Sequence, residues 1–154
     1  MDLRTYLDQS GVRYQWLHHD DNAYTAQDLA MIEHVSGKRV VKPVLIEADG
    51  QFVLCALPAS CYIDMERLRE ALHADVAKLA DEETMRGVFT DAELGAEAPI
   101  GGIYGIETMV DESLCGQPEV VLQAGTHRDA VRMSFGDYMR VTRPRVARFG
   151  KPRA

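Results

Sequence analysis

Lys42 sits inside "RVVKPVLIEADGQFVLCAL" (residues 39–57), surrounded by valine, leucine and isoleucine. On strand alternation it shares a face with Val40, Val44 and Ile46. An ammonium on an apolar face loses hydration and must find a partner, reach out to water, or lose its proton. Held in such a place, a cation attracts a phosphate or a developing oxyanion far more strongly than it would in water. The plainer reading is a salt-bridged or snorkelling strand lysine, and both readings stay open on these residues alone. Pro43 comes next. Having no N–H, it cannot complete a ladder, so the strand is expected to be an edge or to bulge there, and a bulge would re-aim a side chain into a cleft.

Three further stretches carry groups capable of chemistry. "GAEAPIGGIYG" (95–105) packs four glycines and one proline into eleven residues, which lets backbone approach a ligand and present N–H donors. It has neither the GK[ST] of a P-loop nor a GxGxxG pattern, and a long connecting turn is its alternative reading. In "QAGTHRD" (123–129), Gly125, Thr126 and His127 follow the apolar "EVVL", which places polar groups at a sheet rim. Histidine there suits orienting a water or donating to a substrate carbonyl, although "THRD" also makes a serviceable polar turn. In "LHHDD", His18 and His19 are adjacent and on a strand point to opposite faces, so they do not grip one metal ion together. A polar loop is preferred there, with His19 as a residue able to line a cleft. Cys55 lies in an apolar strand, where burial raises a thiol's pKa, and no GxSxG elbow is present. The remaining tools are a lysine, backbone N–H groups and a histidine, with no metal and no cofactor. They suit hydrolysis of an already reactive bond such as an ester better than cleavage of an amide.

The elements that must position these residues follow from local patterns. Asp2 is expected to cap a helix to Ser10, with Leu3 and Leu7 inward and Gly11 as its stop. "VRYQWLHHD" reads as a strand entering a polar loop. Thr25 with Asp28 opens a helix that Gly37 would end. Asp49-Gly50 joins two strands as a hairpin. Both faces of "VLCAL" are apolar, which puts this hairpin within a sheet. Asp64 and Asp81 cap two amphipathic helices, "MERLREAL" and "EETMRGVF". Short strands are expected in "IYGIETMV", "EVVLQAG" and "AVRMS", and Ser134 with Asp137 caps a last helix before Pro144. The expected fold is one α+β domain over residues 1–144, with a mixed, mostly antiparallel sheet and helices around it.

Composition bounds the class. The 154 residues are 46% hydrophobic and 27% charged, ordinary for one globular core. No apolar run reaches the ~20 residues needed to span a bilayer, and "MDLRTYLDQSG" lacks a signal peptide's apolar region, so the protein is expected to be cytoplasmic and without a membrane partner. Three cysteines, Cys55, Cys61 and Cys115, cannot all pair internally and are expected to be reduced. The net charge of −7 conceals an asymmetry: residues 140–154 hold six of the 17 basic residues and no acidic one. The preceding 139 residues hold the other 11 with all 24 acidic residues, a balance of −13. The segment 145–154 is expected as a basic tail, either a frayed solubilising terminus or a contact for nucleic acid.

The ordered set of a leading helix, a "YQWLHH" strand, a helix, "VVKPVLI" with its hairpin, two helices, "GAEAPIG" and "VVLQAGTHRD" resembles the YbaK/prolyl-tRNA synthetase editing-domain family. Its members are aminoacyl-tRNA deacylases that act in trans or as an insertion within the synthetase. The matching features are the strand lysine (Lys42), the GxxxP loop (Gly95 and Pro99) and the glycine after the late strand (Gly125). The resemblance implies a curved, barrel-like sheet and hydrolysis of the ester joining a wrong amino acid to the terminal adenosine of tRNA. The amino acid would be a small one such as alanine, serine or proline. Lys42 would engage the 3′ end or the transition-state charge, and Gly95, Pro99, Ile100 and Gly101 would line the substrate's carbonyl and ribose. His127 matches a position lining the amino-acid pocket in some members, beside Thr126. Water, assisted by the ribose hydroxyl, would be the nucleophile. The implied partners are the acceptor end of aminoacyl-tRNA and an aminoacyl-tRNA synthetase. Pro43 stands where the family often has threonine or asparagine, so a side-chain hydrogen bond is missing there. The alternative function is a noncatalytic module that binds a nucleotide or aminoacyl-tRNA in the same cleft.

Overall fold

The computed structural model describes residues 1–153. Asp2 accepts the Thr5 N–H and opens α1 (Leu3–Ser10), which stops at Gly11 with φ 69°; Leu3 and Leu7 are its buried residues. β1 (Gln15–His18) leads into the loop before α2 (Ala26–Ile32), where Thr25 Oγ1 accepts the Asp28 N–H. α2 ends well short of Gly37. His34 turns left-handed (φ 54°), and the His34 and Val35 N–H groups reach back to Met31 and Ala30, a Schellman closure made by a histidine.

β2 (Val40–Ala48) and β3 (Gln51–Pro58) form the hairpin, with both Asp49 (φ 49°) and Gly50 (φ 80°) left-handed, as a two-residue turn requires. The Asp49 carboxylate also accepts the N–H groups of Val76 (2.9 Å) and Asp75 (3.0 Å), which tie the hairpin tip to the next crossover. β4 (Cys61–Ile63) and β5 (Ala77–Leu79) are strands of three residues that local pattern did not foretell; they flank α3 (Met65–Leu72). Asp64 caps α3 and Asp81 caps α4 (Glu82–Val88). α4 is amphipathic as expected but shallow: Met85 and Val88 are partly buried against the core that its cap Phe89 enters, while Glu82, Glu83 and Arg86 are exposed. The glycine-rich stretch stays irregular except for a single 3₁₀ turn, Gly101–Tyr104. β6 (Glu107–Asp111), β7 (Glu119–Gln123), β8 (Asp129–Ser134) and α5 (Phe135–Thr142) fall where expected, with Ser134 capping α5 through the Asp137 N–H.

The segment expected as a tail joins the fold. β9 (Arg145–Ala147) lies parallel to β6, and β10 (Gly150–Pro152) pairs antiparallel with β4. Phe149, between them, is fully buried against Ile46, Leu57, Leu68 and Met109. The main sheet runs β1-β8-β7-β2-β3-β6-β9, with β5 added to β2. Antiparallel and parallel ladders are mixed, with the antiparallel ones in the majority. No ladder joins β1 to β9 among the described residues, so the sheet is open and the barrel implied by the resemblance is not closed. Among the described residues, no helix is long and apolar enough to cross a membrane.

Strand pairing around Lys42 has one feature that matters below. β2 pairs with β3 from Val41 to Ala48, with β7 only at Val40 and Val41, and with β5 only from Ile46. Between those partners Lys42, Pro43 and Val44 are paired on one side alone, so Pro43 occupies a local edge within an interior strand.

Buried Asp111 fastens the C-terminal strands. Its carboxylate accepts the N–H groups of Phe149 (2.8 Å), Gly150 (2.7 Å) and Ser113 (3.1 Å). Removing it strands buried donors, each costing about 1–3 kcal/mol. Asp111→Ala is therefore expected to destabilise the protein by roughly 3 kcal/mol in urea unfolding. A loss below about 1 kcal/mol would mean that these bonds do not hold β9 and β10 in place.

Candidate functional site

The loop between α4 and the 3₁₀ turn is strapped to the end of β7 by two backbone bonds. Glu93 N–H donates to Gly125 O (2.8 Å), and Gly125 N–H donates to Ala96 O (2.9 Å). Gly95 takes φ 92°, and a Cβ there would lie 2.8 Å from the Tyr24 carbonyl oxygen and 3.5 Å from His127 Cε1. Only glycine lets these three segments close on one another.

His127 is the centre of this cluster. Its N–H donates to Glu93 Oε1 (2.9 Å), and its carbonyl oxygen accepts from Ala23 N–H (2.7 Å). Nδ1 lies 3.1 Å from the Ala23 carbonyl oxygen, and the ring centroid is 4.9 Å from that of Tyr24. A carbonyl can only accept, so Nδ1 carries the proton and Nε2 presents its lone pair. His19 Nε2 lies 3.1 Å from His127 O and donates to it by the same reasoning; its Nδ1 faces Glu33 Oε2 at 3.4 Å. His18 goes elsewhere, with Nδ1 2.8 Å from Asp129. The two histidines thus have separate partners.

Several expected site atoms have structural duties. Thr126 Oγ1 donates to Asp129 Oδ2 (2.6 Å) and accepts from Arg128 N–H (3.1 Å), holding the turn. Gly95 N–H donates to Glu97, itself almost fully buried, at 2.9 Å, and Gly101 N–H donates to Thr108 Oγ1 at 2.8 Å. With Gly125 N–H also occupied, the amides of all three glycines are spent within the fold. The far half of the loop is anchored inward. Pro99 O accepts from the Tyr138 hydroxyl (2.6 Å), and Ile100 is fully buried with Leu7, Val41 and Val110. A Cβ on Gly101 would stand 2.3 Å from Ile106 O, so packing requires that glycine. The loop therefore brings Gly95 to the cluster and commits Pro99, Ile100 and Gly101 to the core.

Lys42 is half-buried and, among the described residues, makes no ion pair. Burial pushes its amine down to about 8, with Arg153 adding repulsion and the Cys61 thiol opposing it. Val40 is level with Val121 and Val41 with Leu122, and there the ladder stops, so Lys42 and Gln123 each come one residue after the point where β2 and β7 part. Gln123 Nε2 donates to Ala23 O (3.0 Å), the same oxygen that His127 Nδ1 approaches. Gln123 Oε1 is buried and has no partner. Gln123, Ala23, Tyr24, Glu93 and Glu97 escaped the sequence reading. Gln123 had a signal, a polar residue ending the apolar run "EVVLQ".

Burial pushes the Cys55 thiol up to about 12, Cys61 is buried as well, and Cys115 is exposed. A concavity of about 700 Å³ lies between the ends of α1 and α5 (Tyr6, Gly11, Arg140, Arg143) and is lined by none of the candidate residues.

Comparison with known proteins fits this arrangement. The family model for the aminoacyl-tRNA editing domain matches residues 20–141. The proline–tRNA ligase of Bacillus subtilis (strain 168) is 29% identical over 130 residues, 77% of this chain but only 23% of the ligase. The chain thus spans about a quarter of that relative's length. Among solved structures, a proposed trans-editing enzyme for prolyl-tRNA synthetase superposes with a TM-score of 0.83 at 20% identity, covering 97% of this chain and 94% of that one. A hypothetical protein superposes at 0.88 with 17% identity, covering 97% and 99%. With most of its length matched by the family model, this chain belongs to the aminoacyl-tRNA editing domain family.

Proposed function

We propose that the protein hydrolyses the ester of mischarged aminoacyl-tRNA, with a small amino acid such as alanine, serine or proline as the group removed. The observation that carries this reading is a half-buried lysine that makes no ion pair among the described residues, on the strand beside the one that ends at Gln123, in an editing-domain chain. Water attacks the ester carbonyl while accepting orientation from the His127 Nε2 lone pair and the substrate's ribose hydroxyl. The Lys42 ammonium faces the oxyanion as it forms. The carbon–oxygen bond to the ribose then breaks, the water's proton passes to the ribose oxygen, and free amino acid and tRNA leave. Since the glycine amides are internally bonded, the main charge stabiliser is the lysine. Partners on this reading are the tRNA acceptor end and a synthetase that produces the error, with the cytoplasm as the site of action.

A panel of mischarged tRNAs presented to wild type and Lys42→Ala tests the reading. Wild type is expected to hydrolyse at least one small aminoacyl ester well above the buffer rate, and the variant to be slower by about a hundred- to a thousand-fold. Binding and thermal stabilisation by aminoacyl-tRNA without any turnover would establish the noncatalytic module instead.

The pH profile follows from the lysine. With its amine near 8, the ammonium is present below that pH and lost above it. kcat/KM is therefore expected to fall as pH rises through about 8, whereas uncatalysed ester hydrolysis accelerates. Lys42→Arg, charged throughout, should abolish this limb whatever its absolute rate. A limb that persists in Lys42→Arg belongs to another group.

A further inference from the structure

Beside Lys42 lies a groove of about 510 Å³, lined by Lys38, Pro58, Ser60, Cys61, Gln117 and Arg153, among others. Pro58 of the groove follows Leu57, the cross-strand partner of Lys42, so the groove lies next to the strand position of the lysine. Lys38 and Arg153 are exposed, and among the described residues neither makes an ion pair. By contrast Arg39 faces Glu119, and Lys151 is held at 2.9 Å by Asp64. The two cations are brought together by backbone. Arg153 N–H donates to Ser60 O (2.9 Å), Ser60 N–H donates to Gly37 O (3.4 Å), and the Gly37 Cα side rests against Ser60. Pairing of β10 with β4 fixes the strand that ends at Pro152, one residue before Arg153. Asp111 and Glu112 line the neighbouring hollow rather than this groove, and neither is ion-paired to Lys38 or Arg153.

Two exposed cations, Lys38 and Arg153, line the groove with no carboxylate among its described lining residues, and Pro58 and Pro152 beside them add apolar surface. We propose that this groove binds the single-stranded 3′ end of the RNA, with Lys38 and Arg153 on successive phosphates and the terminal nucleotide delivered to Lys42. The proposal rests on the deacylase reading for its ligand but not for its geometry. Arg153 lies beyond the segment that matches the family, residues 20–141, so this half of the groove is particular to the chain. The occupant is single-stranded because the lysine to which its terminus is delivered is half-buried within a sheet, where a duplex cannot reach.

The test is binding of a short unacylated RNA ending in CCA, followed by fluorescence anisotropy across a salt series. Lys38→Ala/Arg153→Ala is expected to bind at least ten-fold more weakly. The slope of log K against log salt should shrink by about 1.4, the share of two phosphate contacts on a single strand. Arg86→Ala, which removes an exposed arginine paired with Glu82, serves as the control and should bind as wild type does. Equal affinity and slope in the double variant, or an equal loss in Arg86→Ala, would overturn the groove. Because the RNA carries no aminoacyl ester, this result stands apart from turnover: the groove fails on binding, the deacylase reading on hydrolysis.

Discussion

The site depends on one discontinuity in strand pairing. β3 supports β2 along nearly its whole length, but β7 leaves it after Val41 and β5 joins only at Ile46. A ladder continued through Lys42 would bring β7 against it and close the space beside the side chain. Pro43 prevents this by having no N–H to give. The same departure frees Gln123 to turn its amide to Ala23, and through that carbonyl the β7 end is joined to His127. A strand that parts from its neighbour thus leaves Lys42 unpaired on one side while the sheet fixes the backbone above and below it.

The loop opposite is held by glycines for a reason other than the one that composition suggests. Four glycines in eleven residues look like a cradle of free amides. In the fold, Gly95 and Gly101 are close-approach residues: a side chain on either would strike a carbonyl oxygen, and both N–H groups are bonded within the protein. Glu97 spends its carboxylate on the loop's own backbone. Rigidity of this kind holds His127 and Tyr24 in place, and on the proposed reading electrostatic stabilisation falls to the partly desolvated Lys42, whose charge counts for more where water is scarce.

Much of this was legible in sequence because it is encoded locally. Caps at Asp2, Thr25, Asp64, Asp81 and Ser134, and the turn at Asp49-Gly50, each rest on residues within a few positions of one another. Alternation correctly placed Lys42 on a face of an apolar strand. What escaped depends on distant pairing. β4 and β10 have three residues each and exist because they have each other, and Phe149 becomes core only once Asp111 has bound its N–H. Local composition at 145–152 shows basic charge and two prolines nearby, which is why a tail was the natural expectation. Within the site, His127, Gly95 and Gly125 were visible by type and spacing, whereas the Ala23 carbonyl that joins Gln123 and His127 is a backbone atom and leaves no mark on composition.

Charge distribution completes the picture. An acidic body of −13 repels a nucleic acid from most directions at distances up to the Debye length, about 8 Å at physiological salt. Because residues 145–152 fold back through β9 and β10, the cations they carry are held against the sheet instead of spread through solvent. Some are spent there, Arg145 on Glu107 and Lys151 on Asp64. Arg153 is not, and it stands where Lys38 and Lys42 also have no acidic partner. Repulsion over the body and attraction at one corner favour approach by a narrow, flexible polyanion end over a broad one. An acidic protein can therefore take hold of an RNA terminus without gripping the rest of the molecule.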